Sequence, residues 1–362
     1  MMIPYREKRS ETMDLKKLYI EYALYPAMSL LQHNRVTAYT RELMASESMA
    51  PDQRAAALRQ RLSELLALCR SQVPAYAAMP FTELEMRREP MDCLQAVEPI
   101  LLADFLGEAR EHLVRGTDLS ALHRRECACG DQAPASIYLT QEQIERYEAA
   151  RWRGLSWYGV TFGSPSVLLW DRPRDPYFLQ QEPYMKNRLS ISVCAMTERS
   201  VQPTAEQIDE FRPEYLTGSA SALAILADRM LASGIRLRTQ LKVVTVSQGV
   251  ATEDLLRKLS QVFGCPAAQN LGSRTEGVMA YMCPEGHLHV TAEHCYVELL
   301  DPRTWAPVPP GHRGLLTVTN LLDETMPHLR VILNYMASLS EAPCPCGRTL
   351  PVLENLEKVA PA

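Results

Sequence analysis

The sequence lacks the features that would place it at once in a membrane, secreted or nucleic-acid-binding class. Its 362 residues contain no apolar run long enough, at about 18 residues, to form a transmembrane helix. The opening segment MMIPYREKRSETMDLKK is charged and has no apolar stretch of the kind that secretory signals contain. The net charge is −5, so no broad basic surface for nucleic acid is expected. We expect a cytoplasmic protein that binds neither a membrane nor nucleic acid.

Internal repeats and low-complexity tracts are also absent, and the length suits one large domain or two unequal ones. The ten cysteines are expected to be mostly reduced in the cytoplasm. Cysteines that cluster are therefore better explained as metal ligands or reactive thiols than as disulfides.

The first third of the chain has the apolar spacing of helices. In DQRAAALRQRLSELLALCRSQVP (52–74), leucines recur every three or four residues on one face, and arginine and glutamate occupy the other. Asp52 is predicted to cap the start of this helix, and Pro74 to end it. The pattern predicts a helical N-terminal part over residues 1–125.

Beyond this part, strands alternate with helices. The predicted strands include SPSVLLWD (164–171), LKVVTVSQG (241–249) and GLLTVTNL (314–321), and the predicted helices are residues 140–159, 219–234 and 252–264. Such alternation indicates an α/β fold with a mainly parallel sheet and flanking helices, which we assign to residues 126–277. The last part, 278–362, contains HLHVTAEHCYVELLD and PVPPGHRGLLTVTNL, which are typical of a small antiparallel β meander.

Several segments between residues 211 and 357 resemble the phenylacetate–CoA ligase-like branch of the adenylate-forming superfamily. They are FRPEYLTGSASALAILA, VSQGVATEDLLRKLSQVFGCP, LGSRTEG, CPEGHLHV, PVPPGHRGLLTVTNL and APCPCGRTLPVLENLEK, in the family's order and spacing. The resemblance implies the large N-terminal domain of an enzyme that makes an acyl-adenylate from a carboxylic acid and ATP–Mg²⁺. Such enzymes usually pass the acyl group to a thiol. The resemblance also implies an acyl pocket lined by residues 157–162, 216–221 and 246–250. We expect the family's mobile C-terminal lid domain to be absent.

The family's phosphate-binding loop corresponds here to CACGDQAPASIYLTQEQ (127–143). Gly130 and Ser136 are retained, as is Gly249 in the later VSQG segment. Asp131 would repel a triphosphate, and Pro134 removes a backbone donor. The loop is therefore predicted to be unfit for ATP phosphates.

The family's Tyr-Gly-Ser-x-Glu motif is recognisable at Gly272 and Ser273. The position of its adenine-stacking tyrosine is Leu271, and that of its magnesium-binding glutamate is Thr275. Glu276 follows one residue later and would reach the metal only if the backbone bulged. The alternative for Glu276 is an ordinary surface or helix-start carboxylate.

The family's Arg-Tyr-Arg-x-Gly-Asp segment corresponds to LRVILNYMASLS (329–340). Arg330 is retained as a candidate catalytic residue, but Asn334 and Tyr335 replace the glycine and the ribose-binding aspartate. Tyr335 could stack on a ligand, although it cannot accept two hydroxyl groups as a carboxylate does.

Two pairs of residues have metal-ligand spacing. Cys283-x-x-x-His287 and Cys344-x-Cys346 lie beside Pro and Gly residues that suit tight ligand turns. Three thiolates and one imidazole match a tetrahedral structural zinc site, and relatives are similar at both places. His289 or His294 could replace His287, and buried free thiols are the alternative.

A third cysteine pair, Cys127-x-Cys129, lies at the start of the phosphate-binding loop. Arg124 and Arg125 would lower the pKa of a thiol there, so it could accept an acyl group. The alternative is a loop with two ordinary cysteines.

Three functions follow as hypotheses. The first is a divergent carboxylate-activating ligase with degenerate ATP motifs, which acts on a small carboxylic acid in a biosynthetic pathway and is not expected to turn over ATP unaided. The second is a catalytically inactive protein that binds an acyl group and serves a carrier protein or a homologous subunit. The third is nucleotide-independent acyl transfer from a thioester.

Overall fold

The computed structural model describes residues 15–24, 27, 34–127, 135–171, 187–273 and 277–359. Helices make up most of the described residues before the first long strand. The helices are α1 (Leu15–Tyr19), a π-helical turn (Ile20–Leu24), α2 (Val36–Ala45), α3 (Pro51–Gln72), α4 (Glu83–Arg88), α5 (Pro90–Gln95) and α6 (Leu102–Gly107). None of the helices that the structure describes is long and apolar enough to cross a membrane.

Helix α3 confirms the predicted helix, but its N-cap lies two residues earlier than predicted. Ala50 is the N-cap and Pro51 takes the first helical position, where its missing N–H leaves no bond unmade. Asp52 is not the N-cap, so its predicted capping role was wrong. It lies in the first turn, where its negative charge interacts favourably with the helix dipole. The apolar face is buried at Leu62, Leu65, Leu66 and Cys69.

The middle of the chain forms the parallel half of a sheet. Its strands are β4 (Ser166–Trp170), β5 (Arg188–Ser192), β6 (Tyr215–Ser219), β7 (Val243–Gln248) and β8 (Ala267–Ser273). Its helices are α7 (Gln141–Ser156), α8 (Glu198–Phe211), α9 (Ala220–Ser233) and α10 (Glu253–Phe263). The strands lie in the order β8-β7-β6-β4-β5 with parallel pairing throughout.

Local sequence signals set the ends of α10. The Thr252 hydroxyl accepts the Leu255 N–H at the start, and Gly264 adopts a left-handed conformation with φ +65° at the end. Both positions were predicted from the sequence.

The antiparallel meander continues the same sheet. Its strands are β9 (Gly277–Met282), β10 (Leu288–Val290), β11 (Cys295–Leu300), β12 (Gly314–Asn320), β13 (Val331–Leu339) and β14 (Val352–Lys358). Strand β8 pairs antiparallel with β9, so the predicted boundary at residue 277 falls inside one continuous sheet. The short β1 (Ile100–Leu101) pairs with β13 and ties the helical part to this sheet.

Strands β2 (His123–Cys127) and β3 (Ala135–Leu139) form a separate antiparallel hairpin. The α/β class with a large sheet and flanking helices is thereby confirmed. The meander is larger than predicted. It is part of the same sheet as the parallel half, because β9 forms backbone hydrogen bonds with β8.

Candidate metal centre and nucleotide site

Three cysteines and one histidine converge where β9, β10 and β14 lie side by side. The ligand atoms of Cys283, His289, Cys344 and Cys346 all lie within 4.8 Å of one another. The Cys346 Sγ is 3.2 Å from the His289 Nε2, and the Cys283 Sγ is 3.8 Å from the Cys344 Sγ. Strand β10 brings them together because His289 pairs with Tyr281 of β9 and with Val352 of β14.

The histidine in this cluster is His289, which the sequence left open as a replacement for His287. His289 is fully buried, and its Nδ1 lies 3.2 Å from the Leu350 carbonyl oxygen. An Nδ1–H that donates to this carbonyl leaves Nε2 as the metal-binding nitrogen. His287 is half-buried in the turn before β10, with its Nδ1 3.4 Å from the Cys344 Sγ.

The protonation of the cluster suits a metal. Burial lowers the pKa of His289 to about 4, so its imidazole is neutral near pH 7. Burial raises the pKa of Cys344 to about 12 and raises that of Cys283. Burial also acts to raise the pKa of Cys346, but hydrogen bonds from Arg348 outweigh it and hold this pKa below its usual value. A divalent metal would displace the thiol protons, as thiolate ligation requires.

A second group of side chains holds the Cys344–Cys346 turn from outside. Glu47 accepts hydrogen bonds from the Trp157 indole N–H at 2.6 Å and from the Arg348 Nε at 3.1 Å. The Arg348 guanidinium also lies 4.4 Å from the centre of the Trp157 ring. No local sequence pattern indicates this group, because Glu47 and Arg348 are about 300 positions apart.

Four protein ligands, three of them buried and Cys346 half-buried, leave no open position, so the set matches a closed, structural zinc site rather than a catalytic one. The fourth donor comes from His289 instead of the predicted His287. The chemistry of the donor set therefore fits the metal that the sequence predicted.

The nucleotide motif around residue 272 is only partly within the described chain. Gly272 and Ser273 end β8, while Thr275 and Glu276 fall outside the described residues, so the role of Glu276 stays a prediction. Leu271, at the position of the adenine-stacking tyrosine, is 3% exposed and packs in the apolar core. The described residues therefore offer no aromatic surface for adenine at this position.

The retained Gly272 has a local structural explanation. A Cβ at Gly272 would lie 1.9 Å from the Gly277 carbonyl oxygen across the β8–β9 pair. A Cβ at Gly277 would collide with the Tyr147 ring, whose hydroxyl accepts a hydrogen bond from Asn320 at 2.9 Å. Close packing requires both glycines, whether or not a nucleotide binds.

Arg330 is buried and held by the protein itself. Its Nε donates to Glu298 at 3.2 Å, and its NH1 donates to the carbonyl oxygens of Gln95 and Val97, both at 2.6 Å. The side chain is 2% exposed. These contacts join the helical part to the meander. They give Arg330 a structural role, and its catalytic role stays a prediction.

The other predicted remnants are dispersed. Ser136 lies in β3 and accepts a hydrogen bond from the Arg124 Nε at 2.8 Å across the hairpin, while Gly130 falls outside the described residues. Gly249 is exposed after β7 with φ +81°. Tyr335 is half-buried in β13, opposite Lys358. Their proposed contacts with a nucleotide stay predictions.

Only one cysteine of the Cys127-x-Cys129 pair lies within the described residues. Cys127 is half-buried at the end of β2 and packs against the apolar core, whereas Cys129 falls outside the described residues. Arg124 forms an exposed ion pair with Glu126 at 3.6 Å. No further observation of the described chain supports acyl transfer at this position.

The three segments expected to line one acyl pocket occupy different positions along the parallel strands. Residues 157–162 precede β4 and lie at the amino edge of the parallel strands, where the Lys242 Nζ donates to the Gly159 carbonyl at 2.5 Å. Residues 219–221 and 248–250 lie at the opposite, carboxyl edge. Residues 216–218 and 246–247 lie within β6 and β7, between these two edges, and the acyl pocket stays a prediction.

His112 and His294 are two of the three described buried histidines that lie outside the metal cluster. His112 packs against Tyr76 and Phe105, with ring centres 5.3 and 4.5 Å apart, and His294 precedes β11. Neither ring has a hydrogen-bond partner among the described residues. Burial lowers the pKa of His112 to about 4 and that of His294 to about 3.

Acid is therefore expected to destabilise the fold before most carboxylates titrate. In the unfolded chain a histidine has a pKa near 6.5, so below that pH the unfolded chain binds a proton that the folded protein does not. The free energy of unfolding is therefore highest above pH 6.5 and falls as the pH falls towards 4. Each histidine contributes about 3 kcal/mol over this window. Urea unfolding at pH 7, 6 and 5 gives the free energy of unfolding at each pH. This free energy should fall less steeply with decreasing pH for His112→Gln than for the wild type. The exposed His123→Gln is the control, and equal slopes for all three proteins would contradict the expectation.

Comparison with known proteins gives relatives in one group. A phenylacetate-coenzyme A ligase of Thermus thermophilus is 30% identical over 159 residues, which are 42% of this chain and 35% of the relative. One from Pseudomonas putida is 28% identical over 152 residues, 41% of this chain and 35% of the relative. The matched part thus spans about a third of the length of these relatives. No family model matches the chain.

Solved structures agree in fold. A 2-hydroxyisobutyryl-CoA ligase with a bound adenylate superposes with a TM-score of 0.71 at 16% identity, over 87% of this chain and 69% of that one. Its open conformation gives a TM-score of 0.68 at 17% identity, over 85% and 75%. At these identities the likeness shows the fold alone.

Proposed function

We propose, from the confirmed likeness of this chain to the phenylacetate–CoA ligase-like branch of adenylate-forming enzymes, that it is a divergent homologue of AMP-forming carboxylate-activating ligases. In this proposal it binds a small carboxylic acid or its acyl thioester in a biosynthetic pathway, and it does not adenylate the acid unaided. The observation that carries the second part is Leu271, which is buried in the core where the family has its adenine-stacking tyrosine.

The described residues do not fit ATP–Mg²⁺, so we derive no adenylation step through it. Adenine would lack its stacking partner at Leu271, and Arg330 is already engaged by Glu298 and two carbonyl groups. Glu276 lies outside the described residues, and its role in binding magnesium stays a prediction.

A structural zinc ion is part of the proposal. Cys283, His289, Cys344 and Cys346 would hold it, and a fully ligated zinc would supply stability rather than a nucleophile or a Lewis acid. It would fasten the turn between β9 and β10 to the segment that leads into β14. The hydrogen bond that the Arg348 Nε donates to Glu47 would then help to orient the turn that holds Cys344 and Cys346.

Pyrophosphate exchange tests the enzymatic part of the proposal. The protein is incubated with ATP, Mg²⁺, labelled pyrophosphate and a panel of aryl and short aliphatic acids. We expect no exchange above background with any acid. Exchange that disappears in Glu276→Ala and persists in the exposed-site variant Glu253→Ala would instead establish a working ligase.

A partner remains a proposal beside this one. An acyl-binding protein without adenylation could serve a carrier protein or a homologous subunit, which would complete the reaction. Co-purification of the full chain with such a partner, followed by exchange assays on the complex, would separate this function from that of an isolated binding protein.

A further inference from the structure

The connection between α2 and α3 lies against the chain that carries two of the metal ligands. We call residues 46–50 the linking segment and residues 344–349 the ligand turn. Thr349 donates its backbone N–H to the Glu47 carbonyl oxygen at 2.9 Å and its hydroxyl to the Met49 carbonyl oxygen at 2.7 Å. The linking segment is therefore docked on the ligand turn through its main chain.

Glu47 adds side-chain contacts to this docking. One oxygen of its carboxylate accepts the Trp157 indole N–H at 2.6 Å, and the other accepts the Arg348 Nε–H at 3.1 Å. The Glu47 side chain is 17% exposed and that of Arg348 is 20% exposed, so solvent screens this ion pair less than a pair on the open surface. Glu47 thus holds the linking segment both to the ligand turn and to Trp157 at the end of α7.

Trp157 connects Glu47 to the metal-binding residues. Its ring meets the His289 ring edge to face, with the ring centres 5.8 Å apart. It also packs against the apolar cluster that contains Cys283 and Cys344. A metal ion that fixes these three ligands would therefore also fix the surface on which the Trp157 ring rests.

The start of the linking segment is held by the chain that follows β10. The Ser46 hydroxyl donates to the Glu293 carboxylate. Glu293 also accepts hydrogen bonds from Arg153 at 3.1 Å and from Arg54 at 3.4 Å. The linking segment is thus bonded to chain that continues from β10, the strand of His289, as well as to the ligand turn.

We propose that metal binding at the cysteine–histidine centre is coupled to docking of the linking segment, with Glu47 as the positioning residue that connects the two. The inference rests on the proposed function for its zinc ion. Without zinc, nothing but packing would hold the ligand turn and the His289 ring in place, so Glu47 would lose a fixed surface to bind. Linkage makes the coupling reciprocal, so zinc favours docking by the same factor by which docking favours zinc.

Hydrogen exchange measures the effect of zinc on docking. Amide exchange of the full chain is followed by mass spectrometry, first with zinc bound and then after a chelator has removed it. Peptides that cover residues 46–50 should exchange about tenfold faster without zinc. Peptides from α10, in the parallel half of the sheet, should exchange at the same rate in both states.

Competition with a chromophoric chelator measures the effect of docking on zinc. Glu47→Gln removes the charge that Arg348 pairs with and leaves one acceptor oxygen, and it should weaken zinc binding about tenfold. Trp157→Phe keeps a ring against His289 but removes the indole donor to Glu47, and it should weaken zinc binding in the same direction. The second variant decides if Glu47→Gln does not fold.

Glu42→Gln is the matched control. Glu42 lies in α2, close to the linking segment, and pairs on the surface with Arg146 at 3.6 Å. This variant should bind zinc as tightly as the wild type. With zinc bound, exchange of residues 46–50 should be faster in Glu47→Gln than in Glu42→Gln.

The outcomes separate this inference from the proposed function. Zinc binding that is equally tight in the wild type, Glu47→Gln and Trp157→Phe overturns the coupling and leaves the metal centre standing. Unchanged exchange of residues 46–50 after zinc removal does the same. A wild-type protein that binds no zinc overturns the metal centre and the coupling together. If removal of zinc unfolds the whole chain, exchange in α10 rises as well, and the zinc affinities of the variants decide.

Discussion

Replacing Cys346 by serine should remove the bound zinc and lower the free energy of unfolding by about 5 kcal/mol, because a structural metal contributes its binding energy to folding. Cys346 faces the His289 Nε2 at 3.2 Å and supplies one of four ligands. Without zinc, the remaining thiols and the fully buried imidazole would be polar groups in an apolar site. Metal analysis of the purified protein and urea unfolding measure the two effects.

The control is Cys194→Ser, which changes an exposed cysteine after β5 and should alter neither zinc content nor stability. Histidine variants test the geometry more sharply. His289→Ala should lose zinc, whereas His287→Ala should retain it, because His287 is outside the group of mutually close ligand atoms. A wild-type protein without zinc, or one that loses it only in His287→Ala, would contradict the assignment.

Among the substitutions considered, Arg330→Ala should have the second largest effect on the free energy of unfolding. Arg330→Ala should lower the free energy of unfolding by about 3–5 kcal/mol, because it leaves a buried carboxylate without its partner. Glu298 is 6% exposed, and burial already raises its pKa above the usual value against the attraction of Arg330. The variant also leaves two carbonyl groups, those of Gln95 and Val97, without the Arg330 donor. Urea unfolding at pH 7 measures the loss.

Arg313→Ala is the matched control, because Arg313 pairs with Glu357 at 2.6 Å on the exposed surface. Its cost should stay below about 1 kcal/mol. The double variant Arg330→Met/Glu298→Leu should recover much of the lost stability, since it removes both buried charges. If Arg330→Ala is as stable as the Arg313→Ala control, the structural role that we assign to this ion pair is wrong.

Local signals predicted much of the fold. The leucine spacing of α3, the Thr252 cap and Gly264 terminus of α10, and the Val- and Leu-rich strands depend on residues that are close in sequence. The family resemblance then predicted how these elements assemble. The error at Asp52 was one of position only, because Pro51 could occupy the first helical turn.

The candidate sites were less predictable because they combine distant residues. The choice of His289 over His287 depends on the pairing of β10 with both β9 and β14, which spacing alone does not reveal. Arg330 matched a catalytic motif, yet only the structure places it beside Glu298 in the interior.

The most direct test of the account is calorimetric titration of the zinc-loaded protein with ATP–Mg²⁺, alongside titration with the acids described above. We expect heat of binding from an acid and none from ATP–Mg²⁺, because Leu271 lies in the core at the adenine position. Saturable binding of ATP–Mg²⁺ that Glu276→Ala abolishes would contradict this account and restore the ligase.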